Sequence, residues 1–223
     1  MLMRLPRLML LLFVCALVTD LAAKSTVVQI KVGAPKIEYQ TFPAGHPPMH
    51  AKGLEQGEAG LCQTEIGCQV GVEGEAPRIA FGEAKATLNS ISFNISVRIT
   101  IWCQEGYTQT ILDHEETHRA ISEHYYAMAY KLARQLADEA IARKLPLTGK
   151  PKAEALDHAL KQLQTQLLDE FMRQIYPRSE FAQDRFDAIT DHGRNAITNA
   201  DAMAQALREE AEHWSKEEKM KDE

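Results

Sequence analysis

Two different periods divide this chain. From Ile91 to Trp102, the residues Ile91, Phe93, Ile95, Val97, Ile99 and Ile101 alternate with Ser92, Asn94, Ser96, Arg98 and Thr100. A period of two puts one set on each face of a β-strand, with one face packed and the other wet. Such one-faced alternation suits an antiparallel sheet better than a parallel one buried on both sides. Thr26 to Val32 alternates more weakly. Arg78 to Leu88 reads as a strand interrupted at Gly82, and residues 42–60, rich in Pro and Gly, read as loop.

After Gly106 the period becomes helical. Ile111, His114, His118, Ile121, Tyr125, Met128, Leu132, Leu136 and Ala140 follow spacings of three and four, with no Gly or Pro before Pro146. Thr108 or Thr110 can cap this helix. A second stripe, Leu156, Leu160, Leu163, Leu167, Phe171 and Ile175, predicts a helix that stops before Pro177. The short turn between the two favours an antiparallel helical hairpin. A polar stretch follows, then a last helix over Ala196–Trp214 and a charged tail, residues 215–223, expected to fray. The predicted class is α+β. A β-rich part (24–106) with an antiparallel or mixed sheet precedes a helical part (107–214), the two forming one domain.

The N-terminus reads differently. Arg4 and Arg7 precede an uninterrupted apolar run from Leu8 to Val18, and Leu21-Ala22-Ala23 follows Asp20. This is the pattern of a secretory signal peptide over residues 1–23, and the run is too short to span a bilayer. The chain is therefore expected to be exported, periplasmic or extracellular, with no stable membrane insertion after cleavage. Its formal charge of −6 argues against nucleic acid as a partner. Export allows disulfides. Cys62 and Cys68, with Gly67 between them, are candidates for a small ring that leaves Cys103 over, although other pairings stay open.

The chemistry concentrates at His114, Glu115 and His118. Two histidines four apart on a helix share a face and can hold one zinc ion. Glu115 is rotated by about 100° from His114, so it reaches zinc-bound water rather than the metal. It would act there as general base. Burying two imidazoles in a stripe of Ile, Tyr and Leu without a shared partner would be costly.

Asp113-His114-Glu115-Glu116-Thr117-His118 resembles the signature of the zincin metallopeptidases. Phe186-Asp187-x-x-Thr190-x-His192-Gly193 is similar to a second motif in a family of uncharacterised secreted bacterial proteins described as predicted zinc-dependent proteases. The resemblance covers roughly residues 90–195. It implies a zincin-like fold and a zincin-like role for His114, Glu115 and His118.

A catalytic zinc needs a third protein ligand. His192 is preferred: it lies in a polar loop that can fold back, Gly193 permits a tight turn, and the second motif contains it. Asp187 then orients an imidazole, or is itself a ligand. His124 ranks second. On an unbroken helix it lies about 9 Å beyond His118 and off the ligand face. Glu139, about 30 Å along the same helix, is rejected. His46, His50, His158 and His213 read as surface or cap residues. Tyr107, Tyr176 and Arg194 are available as donors to an oxyanion.

The expected activity is zinc-dependent hydrolysis of a peptide or protein substrate, with one zinc per chain. The alternative is a non-catalytic zinc-binding envelope protein whose helical hairpin binds a partner.

Overall fold

A computed structural model describes residues 26–46, 48, 49, 51, 58–76, 84–143, 145–147 and 152–221. The expected signal peptide, Cys15, and the Arg78–Gly82 part of the predicted early strand lie outside these residues. The elements are β1 (Val27–Val32), β2 (Lys36–Phe42), β3 (Gly60–Glu75), β4 (Ala84–Gln104), α1 (Gln109–Ala127), α2 (Ala129–Ala142), β5 (Leu145–Leu147), α3 (Lys152–Thr190) and α4 (Asn199–Lys221). The chain is thus α+β, with a β-rich N-terminal sheet and C-terminal helices. No helix among the described residues is long and apolar enough to cross a membrane.

Strand β4 is the axis of the sheet. Its alternating set Ile91, Phe93, Ile95, Val97, Ile99 and Ile101 is at most 2 % exposed, because the helices cover that face. The opposite face carries polar pairs such as Arg98–Glu65. Strand β3 runs antiparallel to β4 over nearly its full length. On the other edge β1 and then β2 run parallel to β4, end to end, separated by residues 33–35. This departs from the antiparallel pairing expected for β4. Alternation reports that one face is buried, not which way the neighbours run. Here the long excursion through β3 returns the chain so that β4 runs alongside β1 and β2.

Strands β2 and β3 are not distinct in the sequence. Glycines dilute the period of β3, and two of them serve packing. A Cβ on Gly67 would lie 3.0 Å from Ser96 Oγ, and one on Gly71 2.6 Å from Ser92 Oγ. The same regularity removes the expected Cys62–Cys68 ring. Both residues lie in one extended strand, about 20 Å apart, beyond the reach of a disulfide. Cys62, Cys68 and Cys103 are free thiols, and burial pushes the pKa of each upward, to about 11 for Cys68 and Cys103.

The predicted long helix is nearly continuous, broken only at Met128 between α1 and α2. Helix α3 differs more. It passes through Pro177 and ends at Thr190. A proline in a helix interior costs about 3 kcal/mol. The apolar stripe continues across it through Phe171, Ile175, Ala182 and Phe186, all at most 3 % exposed. Each buried Phe or Ile is worth roughly 1.5–3 kcal/mol, which offsets the lost backbone bond. Helix α4 also outruns its prediction, extending to Lys221.

The break between β1 and β2 is pinned from the helical side. Gly33 N–H donates to Ile95 O at 2.9 Å. The Tyr126 hydroxyl contacts Gly33 O at 2.8 Å and Ile95 O at 3.1 Å. Tyr126→Phe is expected to lower unfolding free energy by about 1–2 kcal/mol, read as a lower denaturant midpoint at unchanged slope.

Candidate metal centre

The β4–α1 connection turns at Gly106, whose φ of +77° is left-handed. Thr108 then caps α1 through its backbone, accepting from the amides of Ile111 and Leu112. Two turns of helix carry His114, Glu115 and His118 under the sheet, where all three are buried. Helix α3 runs antiparallel to α1 alongside it. His118 meets Gln183 and His114 meets Asp187, so two pairs with the same four-residue spacing face each other.

Three donor atoms converge there. His114 Nε2 and His118 Nε2 are 3.2 Å apart, and Asp187 Oδ1 lies 3.1 Å from the first and 2.9 Å from the second. Donors bound to one ion at about 2.0–2.1 Å sit roughly 3–3.4 Å from one another, so this spacing fits a shared cation. The His114–His118–Asp187 group could hold a metal ion. One shared proton can bridge only two of these atoms at a time; a central cation satisfies all three.

The surroundings fix the two rings. His118 Nδ1 is 2.6 Å from Gln183 Oε1. Gln183 Nε2 donates to His118 O at 3.1 Å and to Ser122 Oγ at 2.9 Å. That leaves Oε1 as the acceptor for the Nδ1 proton, so it is the neutral imidazole that would turn an Nε2 lone pair to the centre. Ser122 Oγ is in turn 2.7 Å from Thr64 Oγ on β3. Phe186 stacks on His114 and meets His118 edge-on, with both centroid distances 4.9 Å.

The electrostatics favour positive charge at the centre. Burial opposes ionisation of Asp187, but hydrogen bonds and charge from the two histidines overcome it and hold its carboxyl well below the usual range. Burial likewise opposes the His118 imidazolium, yet Asp187 and Glu115 raise its pKa above 6.5 overall. Glu115 behaves in the opposite sense. Desolvation pushes its pKa to about 7, the charges of Asp187 and Glu58 adding to the rise while His118 and a hydrogen bond from the Cys62 amide work against it.

The group lies in a cleft of about 740 Å³ between the start of β3, α1, α3 and the turn after α3. The preferred third ligand, His192, is at the cleft margin and outside the triad. Its Nδ1 is 3.9 Å from both Asp187 Oδ1 and Glu58 Oε1, and its side chain is 54 % exposed. Asp187 occupies the third position because α3 continues past Pro177 and carries it opposite His114. His124 points to solvent, since α1 does not break near Ser122. Tyr176 and Arg194 line the cleft; Tyr107 does not.

Gln183 and Gly60 escaped the sequence reading. The four-residue interval between Gln183 and Asp187, which matches that between His114 and His118, is a signal that could have found the first.

Asp187→Ala is expected to abolish retention of a divalent ion through dialysis, whereas His192→Ala retains about one ion per chain. Gln183→Leu is expected to weaken affinity by roughly 10–100-fold. Competition with a chelating indicator measures all three.

No protein-family model matches the chain, and no curated protein or solved structure matches it either.

Proposed function

We propose that this chain is a zinc-dependent hydrolase of peptide bonds, with His114, His118 and Asp187 as ligands and Glu115 as general base. The observation that carries this reading is a buried carboxylate, Glu115, next to a two-histidine, one-carboxylate donor set at the wall of an open cleft. Three donors with an open position are the pattern of catalytic rather than structural zinc. Among the described residues no fourth donor joins the group.

When bound, zinc polarises a substrate carbonyl and acidifies water. The protein's part begins with Glu115. A carboxyl with a pKa near 7 can accept a proton from the attacking water and return it to the departing amine. Gln183 holds the His118 imidazole in register through Nδ1, and the Phe186 ring packs against both imidazoles. The Ala59 carbonyl accepts from Gln104 on β4, so the amide of Cys62 faces the other way, toward Glu115 and the cleft. That cleft-side edge of β3 offers backbone groups along which an extended peptide can lie, and Tyr176 and Arg194 stand within the same cleft as oxyanion donors.

The competing assignment for a two-histidine, one-carboxylate set is non-haem iron. It gives no task to Glu115, which favours the hydrolase. Elemental analysis of the purified protein is expected to find zinc at about one per chain; iron at that level would overturn the proposal. Glu115→Gln is expected to keep the zinc and lose hydrolysis of a mixed peptide library, by a factor of at least about 10². A variant as active as the parent would remove Glu115 from its role.

Zinc must displace the proton that His118 holds in the metal-free protein. Because that pKa is raised, protonation sets in above pH 6.5 as the pH falls. Apparent affinity is therefore expected to be full in mildly alkaline solution and to decline continuously toward pH 6, with protons released on binding. Calorimetric titration at several pH values checks the sign.

A further inference from the structure

We infer that Gly60 is a positioning residue for Glu115, an assignment that rests on Glu115 being the base. Gly60 opens β3 opposite Cys103. Its backbone is not in the left-handed region, unlike that of Gly45, Gly106 and Gly193. Conformation therefore does not demand glycine there, and a strand is a poor place for one. Space does demand it. A Cβ at position 60 would lie 2.5 Å from Glu115 Oε1, 2.9 Å from Glu115 Cγ and 2.9 Å from Ile111 Cγ2.

Two of those three atoms belong to the carboxylate arm itself. Glu115 thus lies directly against the bare backbone of β3, and two residues on the Cys62 amide donates to its carboxylate. The side-chain-free flank of Gly60 and the N–H of Cys62 together form a seat for the base. Glu115 is buried, so it has few other rotamers to adopt. It is also the most yielding partner in the contact, because a long flexible side chain gives way more easily than a strand. A methyl group at position 60 would therefore displace the base while leaving the sheet and the donor triad in place. A displacement of about 1 Å at a reacting group costs on the order of 10²-fold in rate.

The test is a double-mutant cycle on the full chain. Zinc-loaded Gly60→Ala is expected to keep its zinc and its KM and to lose roughly 10–100-fold in kcat. In metal-free protein, Gly60→Ala is expected to lower the thermal midpoint by roughly 2–4 °C. The same substitution in a Glu115→Ala background, where Oε1 and Cγ are gone, is expected to lower it little. Equal losses in both backgrounds, or failure of Gly60→Ala to fold in both, would assign the glycine to Ile111 and the strand and overturn the inference. An unchanged kcat would overturn it too. If the parent protein hydrolyses nothing, Glu115 loses its catalytic role, while the coupling in the metal-free cycle still decides whether Gly60 seats it.

Discussion

The candidate centre depends on one alignment: α1 and α3 lie antiparallel with their four-residue intervals in phase. His114 faces Asp187 and His118 faces Gln183. Each helix alone presents only a pair of polar groups on an apolar stripe. Side by side they close a polar cluster whose members answer one another. Slipping α3 by one residue would rotate its facing side chains by about 100° and would leave two imidazoles buried without partners. The stripe of Phe171, Ile175, Ala182 and Phe186 sets that phase, since the same helix must bury it against the core. Packing and site geometry are therefore one constraint.

Opposite electrostatic demands are met a few ångströms apart. Asp187 is driven toward its ionised form and His118 toward its protonated form, so the centre is prepared for positive charge. Glu115, one residue from His114, is driven toward neutrality by burial. The separation is achieved by which neighbour each group meets. Asp187 meets both imidazoles. Glu115 is turned toward β3, where a single amide offers less compensation for lost water. The proposed hydrolysis would need both a charge trap and a base of intermediate strength, and α3 and the sheet present these two surroundings to α1.

Much of this was legible in the sequence and some was not, for identifiable reasons. The alternation from Ile91 to Ile101 and the stripe from His114 to Ala140 announced β4 and α1–α2, because each buries one face along its whole length. Strand direction did not follow from alternation, so the parallel pairing of β1 and β2 came as a departure. The glycines of β3 obscured a strand of which Gly67 and Gly71 are working parts, and with the strand unseen, Cys62 and Cys68 looked like neighbours in a loop. On its local cost alone Pro177 reads as a helix stop. The burial of Phe171, Ile175 and Phe186 outweighs that cost, which is a tertiary fact. That single difference places Asp187 on a helix rather than in a loop and leaves His192 outside the three-donor group.

The left-handed turn that follows α3 explains why His192 stays at the margin. Asp191, His192 and Gly193 have φ of 48°, 54° and 81°. Two non-glycine residues in that region cost roughly 1–2 kcal/mol each. The turn offsets this by giving partners to three of the last four carbonyls of α3: the His192 amide donates to Asp187 O, the Asn195 amide to Thr190 O, and Asn195 Nδ2 to Ile189 O. So tight a reversal carries the backbone of Gly193 beside His114, where an ideal Cβ would come within 3.5 Å of Nδ1. A Cβ at 193 would make ordinary van der Waals contact with the His114 ring, so it is the left-handed φ rather than space that favours glycine there. The reversal leaves the His192 ring over the cleft, facing Glu58 across it. The turn thus ends the helix one turn past Asp187 and leaves the cleft open beside the three-donor group.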